Sequence, residues 1–286
     1  MWNRRILKEQ GKINFKRYYW KSVLVSFILM LVTTGGIGGS SSSISSSISS
    51  MMESRVNDNY YDADEYYYGD EDDYYDGEYY SEDVSIDGES YIEPDFTMGA
   101  FFGGMIIIFI IIFIVALIIG LVIQFLVGYP IAIGANNFFM NTREKEGSLD
   151  SLVSVYKSGK LKDIILTMFL KGLYQFLWSL LLLIPGIVKS YEYRMIPYIL
   201  CENPNISRRR AFEISKDMMR NNKWKTFVLD LSFLGWEILS LLTLGILGIF
   251  YVNPYVLGTN AELYAVLREN ALKNGYASDK ELIGFE

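Results

Sequence analysis

Histidine is absent from all 286 residues, and cysteine occurs once, at Cys201. The first absence excludes an imidazole general base, an imidazole metal ligand and a Ser-His-Asp triad. The second excludes an intrachain disulfide and a thiolate metal cluster. A lone cysteine without a histidine partner reads as a small core residue rather than a nucleophile. Charge is missing too, but only locally. None occurs between Lys21 and Glu53, Asp95 and Arg143, Lys171 and Lys189, or Glu237 and Glu262. A helix needs about 20 mostly apolar residues to cross a hydrocarbon core of about 30 Å. Four such gaps, in a chain that is 51% hydrophobic, read as an integral membrane protein.

Where charge does occur it is segregated. Residues 53–95 hold 17 Asp and Glu against one Arg, so the rest of a chain of net charge −7 is basic in sum. The N-terminus carries Arg4, Arg5, Lys8, Lys12, Lys16, Arg17 and Lys21 against Glu9 alone, then Tyr18, Tyr19 and Trp20, then an apolar run from Ser22. Basic flanks stay in the cytoplasm, and aromatic rings suit the headgroup boundary. A cleaved signal peptide competes for this first run, since Thr33 to Gly36 follow it, but the usual Ala-type small-x-small site is lacking. Residues 38–50 are almost pure Gly and Ser, a flexible composition. The acidic tract behind them holds ten tyrosines between Tyr60 and Tyr91. So dense a block of like charge repels itself and is expected to be a disordered external loop.

Residues 142–162 carry five basic and three acidic groups, and residues 202–226 carry seven and three, so both segments belong inside. The crossings between them must be even in number. Residues 163–201 therefore supply one hairpin, broken at Pro185-Gly186, and residues 227–262 another, broken near Thr243-Leu244-Gly245. At about 18 residues per crossing these hairpins are near the lower limit for a span, which leaves tilted short helices or a re-entrant hairpin open. The expected fold is all-α, a polytopic helical membrane protein of about six spans built as three hairpin repeats. Its parts are a basic cytoplasmic helix (1–21), a first span (22–37), the external loop (38–98) and a second span (99–141). A cytoplasmic helix with the second hairpin (142–201), a basic amphipathic segment (202–226), the third hairpin (227–262) and a cytoplasmic C-terminus (263–286) follow.

The apolar sequence repeats itself. Pro130, Gly134 and Asn136 have the spacing of Pro197, Cys201 and Asn203, and again of Pro254, Gly258 and Asn260. Each Pro-x3-small-x-Asn lies at the cytoplasmic end of an inward-running span and precedes a polar stretch suited to a surface helix: Ser148–Tyr156, Ser207–Met219 and Glu262–Glu269. Proline kinks a helix, a small residue one turn later admits a neighbouring backbone, and the Asn amide bonds across helices. Packing accounts for the pattern; a shared polar vestibule for a ligand is the sharper reading.

Charges inside spans are costly and face protein or water. Lys171 lies in span three, Lys189, Glu192 and Arg194 in span four, and Asp230 and Glu237 in span five. Asp230 and Glu237 are i, i+7 and share a helix face, from which two acids meet the bases of span four. That makes a structural salt-bridge cluster, or the proton relay of a transporter. Residues 205–222 form an amphipathic helix capped by Ser207, with Ala211, Phe212, Ile214, Met218 and Met219 on one side. It suits either an anionic leaflet or packing on the bundle. Nothing points to nucleic acid, since no folded basic domain lies outside the membrane elements. Asp72 to Gly77 is similar to a calcium loop, but Tyr74 takes a ligand position. No phosphate loop or catalytic carboxylate pair appears, so no catalytic residue, metal ligand or cofactor is assigned and no enzyme is expected.

Several motifs resemble a family. Arg5-Ile-Leu-Lys8, Leu183-Ile-Pro-Gly-Ile-Val-Lys189, Met195-Ile-Pro-Tyr-Ile-Leu200, the Lys223-Trp-Lys run through Asp230-Leu-Ser-Phe to Gly235-Trp236, Leu242-Thr-Leu-Gly245 and Asn253-Pro-Tyr255 are similar to bacterial membrane proteins known as domain of unknown function 975. The resemblance covers most of the chain except residues 38–98, and the acidic tract departs from it. A more distant similarity, to membrane domains of glycerophosphodiester phosphodiesterases, implies a membrane module serving a partner or substrate and carries over no catalytic residue. The resemblance implies a plasma-membrane protein of a bacterium, multi-pass, with both termini cytoplasmic. The expected role is a non-enzymatic accessory or scaffold of the cell envelope; a small transporter or lipid-handling protein is the alternative. Membrane lipid and another membrane protein are the expected partners, with weak cation or cationic-peptide binding by residues 53–95.

Overall fold

Apolar runs of helical length, interrupted by proline or short polar turns, leave the backbone few alternatives to helix in lipid. A computed structural model describes residues 2–34, 96–144 and 147–284, and among these residues every regular element is helical. Packing divides the chain into two units, residues 1–46 with 119–286 and residues 47–118. The acidic tract, the cation-binding expectation placed on it and the Gly/Ser segment lie outside the described residues.

The first unit opens with α1 (Arg4–Arg17), whose first turn is capped by the Asn3 side chain accepting the Arg5 amide. Helix α2 (Tyr19–Thr34) follows after Tyr18 alone, so the first apolar helix starts three residues before the expected span, at the aromatic cluster. In the second unit the described residues are helical from Phe96, in α3 (Phe96–Ile123). Apolar side chains from Phe101 to Ile118 are exposed on every side of it. Every face of this helix is therefore hydrophobic.

Back in the first unit, α3 widens into a π-helical turn, Gln124–Gly128, and continues as α4 (Tyr129–Glu144). A 3-10 turn (Leu149–Val153) and the short α5 (Ser154–Lys157) lead to α6 (Leu161–Leu181). Then come α7 (Leu183–Glu192), α8 (Ile196–Glu202), α9 (Arg208–Met219), α10 (Lys223–Leu231) and α11 (Leu234–Leu242). A second π-helical turn, Gly248–Val252, runs into α12 (Asn253–Lys273). The continuous helical stretch Phe101–Arg143 and helix α6 are long and apolar enough to cross a membrane; Tyr19–Val32 is a shorter apolar helix.

Several boundaries differ from the sequence expectation, each for a physical reason. The first break after α6 falls at Leu182, an extended residue, and Pro185-Gly186 sits inside the opening turn of α7. Proline is tolerated there because first-turn amides need no partner. Gly186 serves packing instead, since a Cβ on it would stand 2.7 Å from Ser179 Cα. The stretch 262–269 is not a separate surface helix but the continuation of α12. Helix α9 buries Ala211, Ile214, Ser215, Met218 and Met219, so its apolar face packs on the protein rather than on lipid. Asp230 and Glu237 stand on two helices, because the backbone turns at Ser232-Phe233.

The core gathers where α1, α4, α8, α9 and α12 meet, around fully buried Phe15, Phe138, Met195, Ile199, Ile214 and Tyr264. Helix α1 lies along α12 at a backbone-to-backbone contact: a Cβ on Gly11 would stand 2.7 Å from the Thr259 nitrogen, and one on Gly258 would stand 3.0 Å from the Gly11 oxygen. This contact delivers the N-terminus to the charged layer described next.

Candidate functional site: a charged layer between the helices

The three proline motifs set the frame. Proline has no amide hydrogen, so it frees the carbonyl four residues earlier. In the first copy the backbone responds by widening, and the Tyr129 amide reaches the Gln124 oxygen. The Leu126 carbonyl that Pro130 leaves free accepts the Tyr156 hydroxyl at 2.7 Å. The third copy does the same: the Asn253 amide bonds to the Gly248 oxygen just before Pro254. Both π-turns thus begin six residues ahead of their proline. In the second copy the helix breaks outright between α7 and α8, and Ser215 of α9 fills the gap. Its hydroxyl donates to the Glu192 carbonyl at 2.6 Å and accepts the Met195 amide at 3.3 Å.

The small and amide positions then pack. Gly134 lies against the backbone of Leu152, as Gly258 lies against Gly11. Cys201 is half-buried. Asn136, Asn203 and Asn260 are all buried. Asn203 accepts the Asn205 amide and donates to the Glu281 carbonyl, whereas Asn260 points at Arg194. The three asparagines therefore do not share one vestibule.

The break after α7 is what aims Arg194 inward. Its guanidinium grips Asp230 through two bonds, at 2.5 and 2.8 Å, and donates a third at 2.8 Å to Asn260 Oδ1. The Tyr191 hydroxyl donates to the same carboxylate at 2.9 Å. Paired fork-to-carboxylate bonding of this kind satisfies geometry and charge together. Beside it, Glu192 takes Lys189 at 2.7 Å and Lys223 at 2.5 Å. Lys189 also lies 5.2 Å from the Trp178 ring centre. Of the six charged residues that the sequence singles out, four are brought into these two adjoining clusters. Lys171 is buried but makes no hydrogen bond or ion pair among the described residues. Glu237, on α11, is half-exposed and takes no part. From α1, Lys8 donates to the Ser232 carbonyl at 3.1 Å and lies over the Phe233 ring at 4.2 Å, which satisfies the turn between α10 and α11.

A second polar layer, unexpected from sequence, lies below the first. Glu202 receives Arg268 at 2.6 Å, the Tyr264 hydroxyl at 2.5 Å and the Gly284 amide at 2.7 Å. Burial, and after it the Glu202 carboxylate, pushes the Tyr264 hydroxyl well above its ordinary range, so it stays a donor. Glu262 accepts from Asn14 at 2.6 Å and Arg143 at 2.8 Å. Arg210 holds Glu281 at 2.6 Å, and this bond, with those from Ser278, keeps the Glu281 carboxyl down at about 2. Glu202 had a signal in sequence: it is the one charge inside any of the three Pro-x3-small-x-Asn motifs. Tyr264 and Arg268 had none beyond their place on a polar stretch.

Residues 180–271 match the model of a family described as Protein of unknown function (DUF975). This stretch is thus similar to that family. It contains all the quoted motifs except Arg5-Ile-Leu-Lys8, and it contains the whole upper layer: Lys189, Tyr191, Glu192, Arg194, Lys223, Asp230 and Asn260. No curated protein matches the chain, and no solved structure does. The matched stretch thus coincides with the part of the fold in which helix breaks and buried charges are matched to one another.

Proposed function

We propose that this chain is a non-enzymatic, multi-pass module of a bacterial plasma membrane, acting as an accessory or scaffold for envelope processes. The observation that carries the reading is the closure of the charged layer. Asp230 has both oxygens occupied by Arg194 and Tyr191, and Arg194 spends its remaining contact on Asn260. A relay needs a group that can give up its partner, whereas a fork pair this saturated fixes helix positions. Lack of histidine supports the same reading, since it removes the usual proton carrier near neutral pH. Both termini and the two basic loops lie in the cytoplasm, in keeping with charge asymmetry around each apolar run.

Partners follow from the surface: lipid around the apolar helices, and a second membrane protein as the client of the scaffold. Residues 53–95 add a weak site for cations or cationic peptides, by charge density alone. The alternative, a small transporter or lipid-handling protein, draws on Lys171, a buried cation without a hydrogen bond among the described residues. Purification of the full chain from membranes in mild detergent distinguishes the two. The scaffold reading expects a stoichiometric partner that survives Lys171→Met. Solute flux in proteoliposomes that Lys171→Met abolishes would overturn it. Topology is checked separately: cysteines placed at Asp150 and Arg209 resist a membrane-impermeant thiol reagent in intact cells.

A further inference from the structure

We propose that the α6–α7 and α11–α12 hairpins do not emerge on the far side but turn back inside the cytoplasmic leaflet. Together they form a two-pronged apolar wedge whose partner is the acyl-chain half of that one leaflet. The inference rests on the membrane reading above and specifies which lipid surface it engages.

Length comes first. Helix α7 has ten residues and α11 has nine, and although α6 is long enough to cross, Lys171, buried in protein at its midpoint, leaves only about ten residues beyond it for the apolar tip. At 1.5 Å per residue each rises only about 14–15 Å, roughly half of a 30 Å hydrocarbon core. The apolar surface is placed to match. Leu180, Leu181 and Ile184 at one tip, and Leu241, Leu242 and Leu244 at the other, are among the most exposed side chains, Leu244 reaching 93%. No charged residue lies between Lys171 and Lys189 or between Glu237 and Glu262, and neither tip carries an Asn or Asp. A turn that surfaced in water would have no reason to lack them.

The backbone of the second tip is closed on itself. The Gly245 amide bonds to the Ser240 oxygen at 2.8 Å and the Leu244 amide to Leu241 at 3.1 Å, the paired bonds that end a helix through a left-handed residue. Thr243 and Ile246 amides bond within the turn, and the Leu247 amide is taken by the Thr243 hydroxyl. Leu244 itself holds the left-handed conformation, at φ 52°, where glycine is usual. Chain in hydrocarbon must satisfy its amides internally and present apolar side chains, and this tip does both.

The neighbouring crossing helix shows where the protein stops. Helix α2 packs against the π-turn Gly248–Val252 and α12. It buries Ser22, Val23, Val25 and Ser26, and beyond them Phe27, Met30 and Leu31 are exposed. Fully buried residues of α2 thus lie in its first two turns, about 11 Å of rise, and Leu29 is the last that packs against the core. On the other crossing helix, Ile119, Leu121, Val122 and Ile123 are likewise exposed, and Gln124 is the first buried residue. The packed part of the first unit thus has the depth of one leaflet.

The test uses the full chain in cells, with single cysteines Leu244→Cys and Ile184→Cys at exposed positions, Ser43→Cys as the outside control and Arg209→Cys as the inside control. The parent chain gives the background from Cys201. An impermeant maleimide is expected to label both tips at least about tenfold less than Ser43→Cys in intact cells, and less than Arg209→Cys in inverted membranes, because lipid shields them from both sides. A nitroxide at residue 244 should collide with oxygen and be shielded from a nickel chelate. Outside labelling of either tip, or nickel access at 244, in membranes that retain the chain after an alkaline carbonate wash overturns the wedge and leaves the membrane reading intact. Loss of the chain in that wash overturns both.

Discussion

The charged layer makes a quantitative demand on Asp230. Replacing it by Asn keeps the side-chain shape and one acceptor oxygen, but leaves Arg194, 7% exposed, without a counter-charge. Removing one partner of a buried pair costs about 3–5 kcal/mol. Asn can still accept one guanidinium bond and the Tyr191 hydroxyl, so the loss belongs near the lower end, about 3 kcal/mol. At roughly 2–4 °C per kcal/mol for a chain of this size, detergent-solubilised Asp230→Asn should melt about 6–12 °C below the parent. The comparison is Glu269→Gln, which breaks an exposed pair with Lys273 and should barely move the transition. The double variant Arg194→Met with Asp230→Leu should recover most of the loss, because an apolar pair needs no compensation in a dry interior. The assay is thermal unfolding followed by tryptophan emission, with the parent, Asp230→Asn, Arg194→Met, Asp230→Leu and the double variant measured in one detergent. If Asp230→Asn melts with Glu269→Gln, or the double variant is no better than the worse single one, the layer is hydrated and the argument for a closed scaffold fails.

Three further expectations concern other parts of the fold. Glu281, held by Arg210 at about 2 against an ordinary 4.5, stabilises the docked C-terminal segment above pH 4.5 and loses that contribution as pH falls toward 2. Protection of the Leu282 and Gly284 amides, taken relative to intrinsic exchange at each pH, should therefore fall over that window, and in Glu281→Gln it should be low already at neutral pH; a parent protection factor that stays flat would refute it. Tyr156→Phe removes the donor to the carbonyl that Pro130 frees and should cost about 1 kcal/mol, less in a Pro130→Ala background where the helix amide returns. Gly11→Val drives a side chain into the Thr259 backbone and should destabilise by about 1–3 kcal/mol, whereas Gly103→Val, with open space around it, should leave the melting temperature unchanged.

Sequence by itself determined the elements that depend on local chemistry. Uninterrupted apolar runs dictate helix in lipid, so the all-helical fold, the long second apolar helix and the Ser207 cap are legible without coordinates. The similarity to the DUF975 model over residues 180–271 is legible for the same reason: Lys223 to Trp236 is a contiguous string. What spacing along one helix could not reveal is where that helix breaks. The i, i+7 relation of Asp230 and Glu237 fails because the chain turns at Ser232-Phe233, a turn held by Lys8 from more than two hundred residues away. Likewise, the Pro-x3-small-x-Asn repeat is visible as a pattern, yet Asn203 faces the C-terminal segment and Asn260 faces Arg194, and the small residues meet different neighbours, the Leu152 backbone for Gly134 and α1 for Gly258. The pairing of Arg194 with Asp230 and the assembly around Glu202 were decided only by tertiary structure. A buried charge takes whichever partner lies within about 3 Å, and that distance is set by how helices cross, not by their order in the chain.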